Sequence, residues 1–344
     1  MTLPSLKSGA APILSVRNLT LEFRMAGRWL PAVDSVDFDL APGETLGVVG
    51  ESGSGKSLTA LALMGFVGRM RRNQRVSGQA LYAGRDLLGL PDRQMQALRG
   101  NDIAMIFQEP MTSLDPSFKV GAQIAAGVRL HQKVSRAEAR RIAIDAMERV
   151  HIPNAAIRAD SYPHEFSGGM RQRVLIAMAI ANRPSVLIAD EPTTALDVSV
   201  QAQVLRLLKD MQKDLGLSMI FITHNMGVVA DICDRVAVMY AGQIVEKASV
   251  DDLFDSPRHP YTERLLSSMP SIEKRSGPLT WIPGTPPQFT DFPAGCRFRP
   301  RCAHATDACL GETRLTHGTG GRSNRCTLGQ DWQNPKGETE ASWT

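Results

Sequence analysis

The sequence predicts an α/β protein built on a mostly parallel sheet, with a helical insertion and a small loop-rich region near its end. Three observations lead there. Short apolar runs suited to buried strands recur at residues 44–49, 103–107, 186–189 and 219–223, separated by longer stretches with helical spacing. Between the second and third runs, residues from about 123 to 150 are rich in Ala, Arg, Glu and Met and carry no strand signal, which reads as a helical subdomain inserted into the sheet. After Asp251, Pro and Gly become frequent (Pro283, Gly284, Pro286, Pro287, Pro293, Gly295), and the cysteines appear. The expected division is 1–250 for the main domain with its helical insertion at about 109–170, 251–330 for a cysteine-bearing extension, and 331–344 for a polar tail.

At 344 residues the chain accommodates one large core and an appendage. A net charge of +4 is slight for that size, and the basic residues are scattered apart from Arg69, Arg71, Arg72 and Arg75, so no nucleic-acid surface is expected. Charges or glycines interrupt every apolar run before the roughly 18 residues of a membrane span. The first dozen residues lack the apolar core and cleavage site of a secretory signal, so a cytoplasmic chain is expected. In a reducing compartment the grouped Cys296, Cys302, Cys309 and Cys326 suggest metal ligation before disulfides, whereas the isolated Cys233 suggests a buried apolar residue.

The chemistry begins at Gly50-Glu51-Ser52-Gly53-Ser54-Gly55-Lys56-Ser57, which fits G-x-x-x-x-G-K-[ST] directly after one strand candidate and before the helical run 58–64, opened by Leu58. In that setting the loop's N–H groups face phosphate oxygens and the helix start adds favourable partial charge. Lys56 reaches the β- and γ-phosphates, and the Ser57 hydroxyl coordinates Mg2+. The contacting positions are then Gly50, Ser52, Gly53, Ser54, Gly55, Lys56, Ser57 and Leu58. The run 186–189 ends in Asp190-Glu191, two carboxylates at the carboxyl end of a buried strand, where α/β sheets place ligands. Asp190 is assigned to the magnesium shell, largely through water, and Glu191 to polarising the attacking water as a general base.

Kinases and GTPases share those elements. A more selective segment is Phe166-Ser167-Gly168-Gly169-Met170-Arg171-Gln172-Arg173, in which Ser-Gly-Gly opening a helix makes a second anion-binding end. Here the chain resembles the ABC ATPases, whose usual L-S-G-G-Q signature is represented with Phe166 and Met170 at the flanks. The resemblance implies a sheet core with an inserted helical subdomain, a head-to-tail dimer, and contact of Ser167, Gly168 and Gly169 with the ATP of the opposing subunit. It also implies a Q-loop glutamine at Gln108, able to touch magnesium and the attacking water, a D-loop at Ala195-Leu196-Asp197, and a switch histidine at His224. Phe23 lies about where the family carries an aromatic that stacks on adenine, with Trp29 a competing candidate.

Within that family, Gln108-Glu109-Pro110-Met111-Thr112-Ser113-Leu114-Asp115-Pro116 is similar to the corresponding stretch in ATPases of dipeptide and oligopeptide importers. Pro257-Arg258-His259-Pro260-Tyr261-Thr262, Ile282-Pro283-Gly284-Thr285-Pro286-Pro287 and Gly295-Cys296-Arg297-Phe298-Arg299-Pro300-Arg301-Cys302 continue the likeness into their C-terminal extension. It implies ATP and Mg2+ as ligands, two membrane permease subunits, a sister or identical ATPase subunit, an extracytoplasmic solute-binding protein, and a place on the cytoplasmic face of a bacterial inner membrane. The cargo class it implies is peptide, with nickel or another small solute open. A soluble ABC machine acting on nucleic acid or ribosomes is disfavoured by the lack of a long coiled coil, a tandem cassette or a basic arm. The four grouped cysteines, with five, six and sixteen residues between successive ones, can enclose an iron–sulfur cluster or zinc. The importer resemblance implies [4Fe–4S], with Zn2+ or unliganded thiols as the alternatives.

Overall fold

The computed structural model describes residues 11–68, 72–108, 113–194, 196–269, 281–318 and 321–329. Arg69, Arg71, Glu109, Pro110, Met111, Thr112, Ala195 and the polar tail 331–344, singled out from the sequence, lie outside the described residues. In chain order the strands are β1 Leu14–Met25, β2 Arg28–Leu40, β3 Thr45–Val49, β4 Gln74–Tyr82, β5 Arg85–Asp86, β6 Ile103–Ile106, β7 Val186–Asp190, β8 Ser218–Thr223, β9 Arg235–Tyr240, β10 Gln243–Ser249, β11 Thr316–His317 and β12 Ser323–Asn324. The helices are α1 Lys56–Leu63, α2 Asp92–Leu98, α3 Val120–His131, α4 Arg136–Arg149, α5 Ala155–Arg158, α6 Gly168–Ile180, α7 Val198–Leu215, α8 Met226–Ile232, α9 Val250–Asp255 and α10 Pro260–Ser267. The chain divides into two compact units, one within 1–15, 39–44 and 81–220, the other within 16–38, 45–80 and 221–344.

In the first unit β6 pairs parallel with β7, Ile103 opposite Val186 and Ile106 opposite Ala189. Every residue of β7 is buried, as the unbroken apolar run requires of a parallel strand covered on both faces. The expected helical run becomes two helices. α3 buries Val120, Ile124 and Val128 at four-residue spacing, and α4 buries Ala139, Ala143, Ala146 and Met147. The break falls at Ser135, whose side chain accepts the Glu138 N–H and caps α4. Both helices pack on each other and on α6, which carries Gly168 and Gly169 in its first turn.

In the second unit β3 runs parallel to β9, Leu46 opposite Arg235, and β9 pairs antiparallel with β10. The cysteine-bearing segment adds β12 to the edge of β10, and β11 to β12. This covers an edge that would otherwise expose unpaired backbone groups. Tyr261, Leu265 and Phe298 share one hydrophobic cluster with Val49, Val236, Val238, Tyr240 and Val245. A loop-rich segment with few apolar residues thus docks them into an existing core. Arginines fasten it further: Arg297 pairs with Asp34, and Arg325 donates to the carbonyls of Ile244 at 3.1 Å and Thr313 at 2.8 Å. Cys233 is half-buried and packs against the same cluster, less enclosed than expected. Among the described residues no helix is long and apolar enough to cross a membrane.

Glu246, on β10 and 1% exposed, accepts the Arg258 N–H at 2.7 Å, and Arg322 stands 3.7 Å away. Burial dominates, pushing its carboxyl up to about 7. A carboxyl whose folded pKa exceeds its unfolded one contributes stability that is full below the unfolded value and lost as pH rises through the folded value. Glu246→Gln should therefore stabilise the chain at pH 8 by about 1–3 kcal/mol. At pH 5, where the native carboxyl is already largely protonated, the effect should be much smaller; thermal melts at the two pH values measure the difference.

Candidate functional site

Residues 50–57, expected from the sequence to form a phosphate loop, belong to the second unit. Gly50 follows β3 with φ 150°, and a Cβ there would lie 2.1 Å from the Met239 carbonyl oxygen, so no side chain fits. Lys56, 5% exposed, opens α1 and bends back over the loop. Its ammonium donates to the carbonyls of Gly50 at 2.8 Å and Glu51 at 2.9 Å and to Ser54 Oγ at 3.3 Å. Ser52, Gly53, Gly55, Ser57 and Leu58 complete this turn into α1 as the motif requires. The Glu51 N–H donates to the Tyr261 hydroxyl at 2.9 Å, and both Glu51 carboxylate oxygens accept from Arg301, at 2.7 and 3.1 Å. Burial raises the Tyr261 phenol well above its usual range, so it stays protonated.

Also in this unit, His224 is exposed directly after β8, and Asn225 caps α8 by accepting the N–H groups of Gly227 and Val228. Phe23 is half-buried with its ring 5.7 Å from that of Phe289. The Trp29 face is covered by the Arg75 guanidinium, 4.5 Å from its centroid, and Arg75 is held in turn by Glu22.

The paired acids lie in the first unit. Asp190 ends β7 at 4% exposure, and Glu191 follows with φ 47°, a left-handed conformation that costs a non-glycine residue about 1–2 kcal/mol. Such strain concentrates at functional positions. Two donors meet its Oε2: Gln108 Nε2 at 3.1 Å and Thr194 Oγ1 at 2.9 Å. Because a carboxylate only accepts, the Gln108 amide nitrogen must face it. Two residues assigned from the sequence are thus in direct contact, while Thr194 was not foreseen.

Ser167 caps α6, its Oγ accepting the Met170 N–H at 3.3 Å, so Met170 contributes its backbone to the cap. Phe166 is 2% exposed, which explains an apolar residue at that flank. Asp197 caps α7, accepting from Val200 N–H at 2.9 Å and Ser199 Oγ at 2.7 Å. The Ser199 hydroxyl, then the backbone N–H, hold its carboxyl below the usual range. A Cβ on Gly169 would stand 2.6 Å from Val200 Cγ1, so the signature helix and α7 meet where a glycine is needed.

Cys296, Cys302, Cys309 and Cys326 line one small cavity together with His259 and His304. Burial pushes the thiols of Cys302 and Cys326 up, to about 12 and about 11. His259, 1% exposed, accepts the Tyr261 N–H through Nδ1 at 3.1 Å, and burial pulls its pKa down to about 3. The neutral ring must then carry its proton on Nε2, which is buried without a hydrogen-bond partner. Four sulfurs and an orphaned buried donor suit a sulfur-rich group by donor chemistry. As the side chains stand, however, no group of three or more His, Cys, Asp or Glu among the described residues is arranged to hold a metal ion.

An ABC transporter model matches residues 33–194, spanning the phosphate loop and the paired acids, and a model of the oligopeptide/dipeptide transporter C-terminal region matches 245–309. The chain is 50% identical to a putative peptide import ATP-binding protein of Brucella abortus (strain 2308), over 92% of this chain and 95% of that one. It is 52% identical to the oligopeptide transport ATP-binding protein OppD of Bacillus subtilis (strain 168), over 85% and 82%, and 46% identical to OppD of Escherichia coli (strain K12), over 94% and 96%. Among solved structures, cbiO1 from Clostridium perfringens, part of an ABC transporter complex, superposes with a TM-score of 0.60 at 26% identity over 72% of this chain and 92% of that one. A dimeric ATP-binding cassette bound to ADP and Pi gives 0.61 at 24% identity over 69% and 98%, a likeness of fold. The chain belongs to the ABC transporter ATPases, in the family of oligopeptide/dipeptide transport ATP-binding proteins. It is an ATP-binding subunit of a transporter, with hydrolysis of ATP as its reaction.

Gly169→Ala should destabilise the chain by about 1–3 kcal/mol, the usual range for overpacking. Val200→Ala added to it removes the clashing methyl groups and should restore part of the loss, read by thermal melting of the single and double variants.

Proposed function

We propose that this subunit drives uptake of di- or oligopeptides, hydrolysing ATP at a head-to-tail interface with a sister or identical ATPase. Closure and opening of that dimer would pass to two membrane permease subunits, with an extracytoplasmic solute-binding protein delivering cargo. The subunit would sit on the cytoplasmic face of a bacterial inner membrane and engage no nucleic acid. The peptide class follows the names of the relatives and the C-terminal region matched at 245–309. The hydrolytic chemistry is carried by one observation, the Glu191 carboxylate oriented by Gln108 and Thr194 at the end of β7.

Gly50, Ser52, Gly53, Ser54, Gly55 and Leu58 would surround the phosphates with backbone donors, and Lys56 would exchange its loop carbonyls for phosphate oxygens. Phe23 would stack on adenine. Magnesium would be held by Ser57 and Gln108, and by Asp190 through water, and would supply charge neutralisation. Glu191 would accept a proton from the attacking water, its Gln108 contact holding the carboxylate in one orientation. His224 would hydrogen-bond the γ-phosphate, and Ser167, Gly168, Gly169 and Asp197 would complete the partner subunit's site. The functional division is 1–250 for the ATPase and 251–330 for the extension.

Glu191→Gln should keep ATP binding and lower turnover by about a hundredfold or more, measured as phosphate release by the chain purified with its membrane partners. Unaltered turnover removes Glu191 from this role.

For the extension we propose that Cys296, Cys302, Cys309 and Cys326 hold a [4Fe–4S] cluster with a structural role, Zn2+ being the alternative. The convergence of the four thiols on one cavity and the orphaned His259 Nε2 support it. A chain purified without oxygen should absorb broadly near about 400 nm and lose that band in Cys302→Ser. A colourless sample with one zinc per chain replaces the cluster.

A further inference from the structure

Glu51 places a negative charge inside a loop whose task is to receive a polyphosphate. At close range such a charge opposes the ligand. Its carboxylate is not left to solvent: the Arg301 guanidinium meets both oxygens in a two-bond fork, with the Arg301 side chain 5% exposed and Glu51 25%. Such a bidentate pair cancels charge and also fixes rotamer. The fork is itself immobilised, because Arg301 donates through Nε to the Pro283 carbonyl at 2.6 Å and through Nη2 to those of Ile282 and Gly284 at 3.2 and 3.3 Å. The Tyr261 hydroxyl holds the Glu51 backbone, and the Glu51 carbonyl takes Lys56. One loop residue is thus gripped at N–H, carboxylate and carbonyl, the first two grips coming from the C-terminal segment.

We propose that Arg301 is a positioning residue for the nucleotide site: it neutralises and orients Glu51, so ATP affinity depends on the folded segment that carries Cys296 and Cys302. Lysine cannot replace it fully, since a point charge lacks the fork that matches a carboxylate. An Arg301 that merely anchored the extension would affect stability and leave nucleotide affinity alone. The two roles separate in a double variant, because removing the Glu51 charge abolishes the need for Arg301 at the phosphates but does nothing for the orphaned carbonyls of residues 282–284.

The test uses the full chain, with equilibrium binding of ATP and magnesium and thermal melting as readouts. Arg301→Met should weaken ATP binding about tenfold, the order of one uncompensated charge acting on the phosphates over roughly 10 Å at an effective dielectric of about 20, and Arg301→Lys should weaken it less. Adding Glu51→Gln to Arg301→Met should restore most of the affinity while the melting temperature stays low. The inference is overturned if Arg301→Met lowers the melting temperature with ATP affinity unchanged, or if the double variant binds no better than the single one. It rests on residues 50–57 being the nucleotide's phosphate loop, and Lys56→Ala tests that separately. If Lys56→Ala binds ATP as the parent does, the loop assignment fails. If it loses ATP while Arg301→Met does not, the loop assignment stands and the Arg301 inference alone is wrong.

Discussion

A loop that is to receive a phosphate through its backbone, as proposed for residues 50–57, must keep its N–H donors open toward the anion and cannot satisfy them by pairing with a neighbouring strand. It is held from behind instead. Gly50 lies so close to the Met239 carbonyl that the chain leaves β3 in a conformation only glycine takes. β9 ends at Tyr240, whose ring packs on those of Tyr261 and Phe298 with centroids 4.6 and 5.2 Å apart. This aromatic cluster ties the sheet end to the C-terminal segment. Tyr261 carries the hydroxyl that receives the Glu51 N–H, and Arg301 reaches the Glu51 carboxylate alongside Tyr240. The extension is therefore part of the scaffold of the loop.

The other unit uses a different device. Its chemically interesting residues sit at the ends of regular elements, where unpaired helical N–H groups need partners. Ser167 and Asp197 supply them at the starts of α6 and α7. A capping role and a ligand-contacting role draw on the same property, an oxygen poised beside exposed donors, so the sequence pattern that marks one marks the other. Gly169 lets α6 and α7 meet closely at this end. At Glu191 the backbone accepts local strain to present a carboxylate that Gln108 and Thr194 then orient.

Much of this was legible in the residues. The runs at 44–49, 103–107, 186–189 and 219–223 became β3, β6, β7 and β8 within a residue or so, because a strand buried on both faces leaves no room for polar alternation. β9 and β10 were not singled out, although β9 is as apolar as β8. The single helical stretch became two helices, with Ser135 as a cap that its Glu138 partner could have disclosed. Gln108 and Glu191 were assigned separately, and their contact spans 83 positions that no local pattern connects. The extension showed its cysteines and prolines but not how few residues it needs for a core of its own, since its aromatic residues enter the cluster around Val236 and Val238.

The sequence by itself determined what depends on neighbours along the chain: strand and helix periods, the glycines and lysine of the phosphate loop, the acids that end β7, the helix-opening Ser-Gly-Gly and the family to which they belong. Tertiary structure alone decided what depends on contact between distant segments. Glu51 and Arg301 are 250 residues apart, and nothing about either residue type at its position announces the other. The same holds for Tyr261 against the Glu51 backbone and for His259, whose buried Nε2 becomes informative once four thiols share its cavity. Local propensity is written in short-range spacing, whereas the pairing of buried charges and donors is settled by which surfaces the packed core brings together.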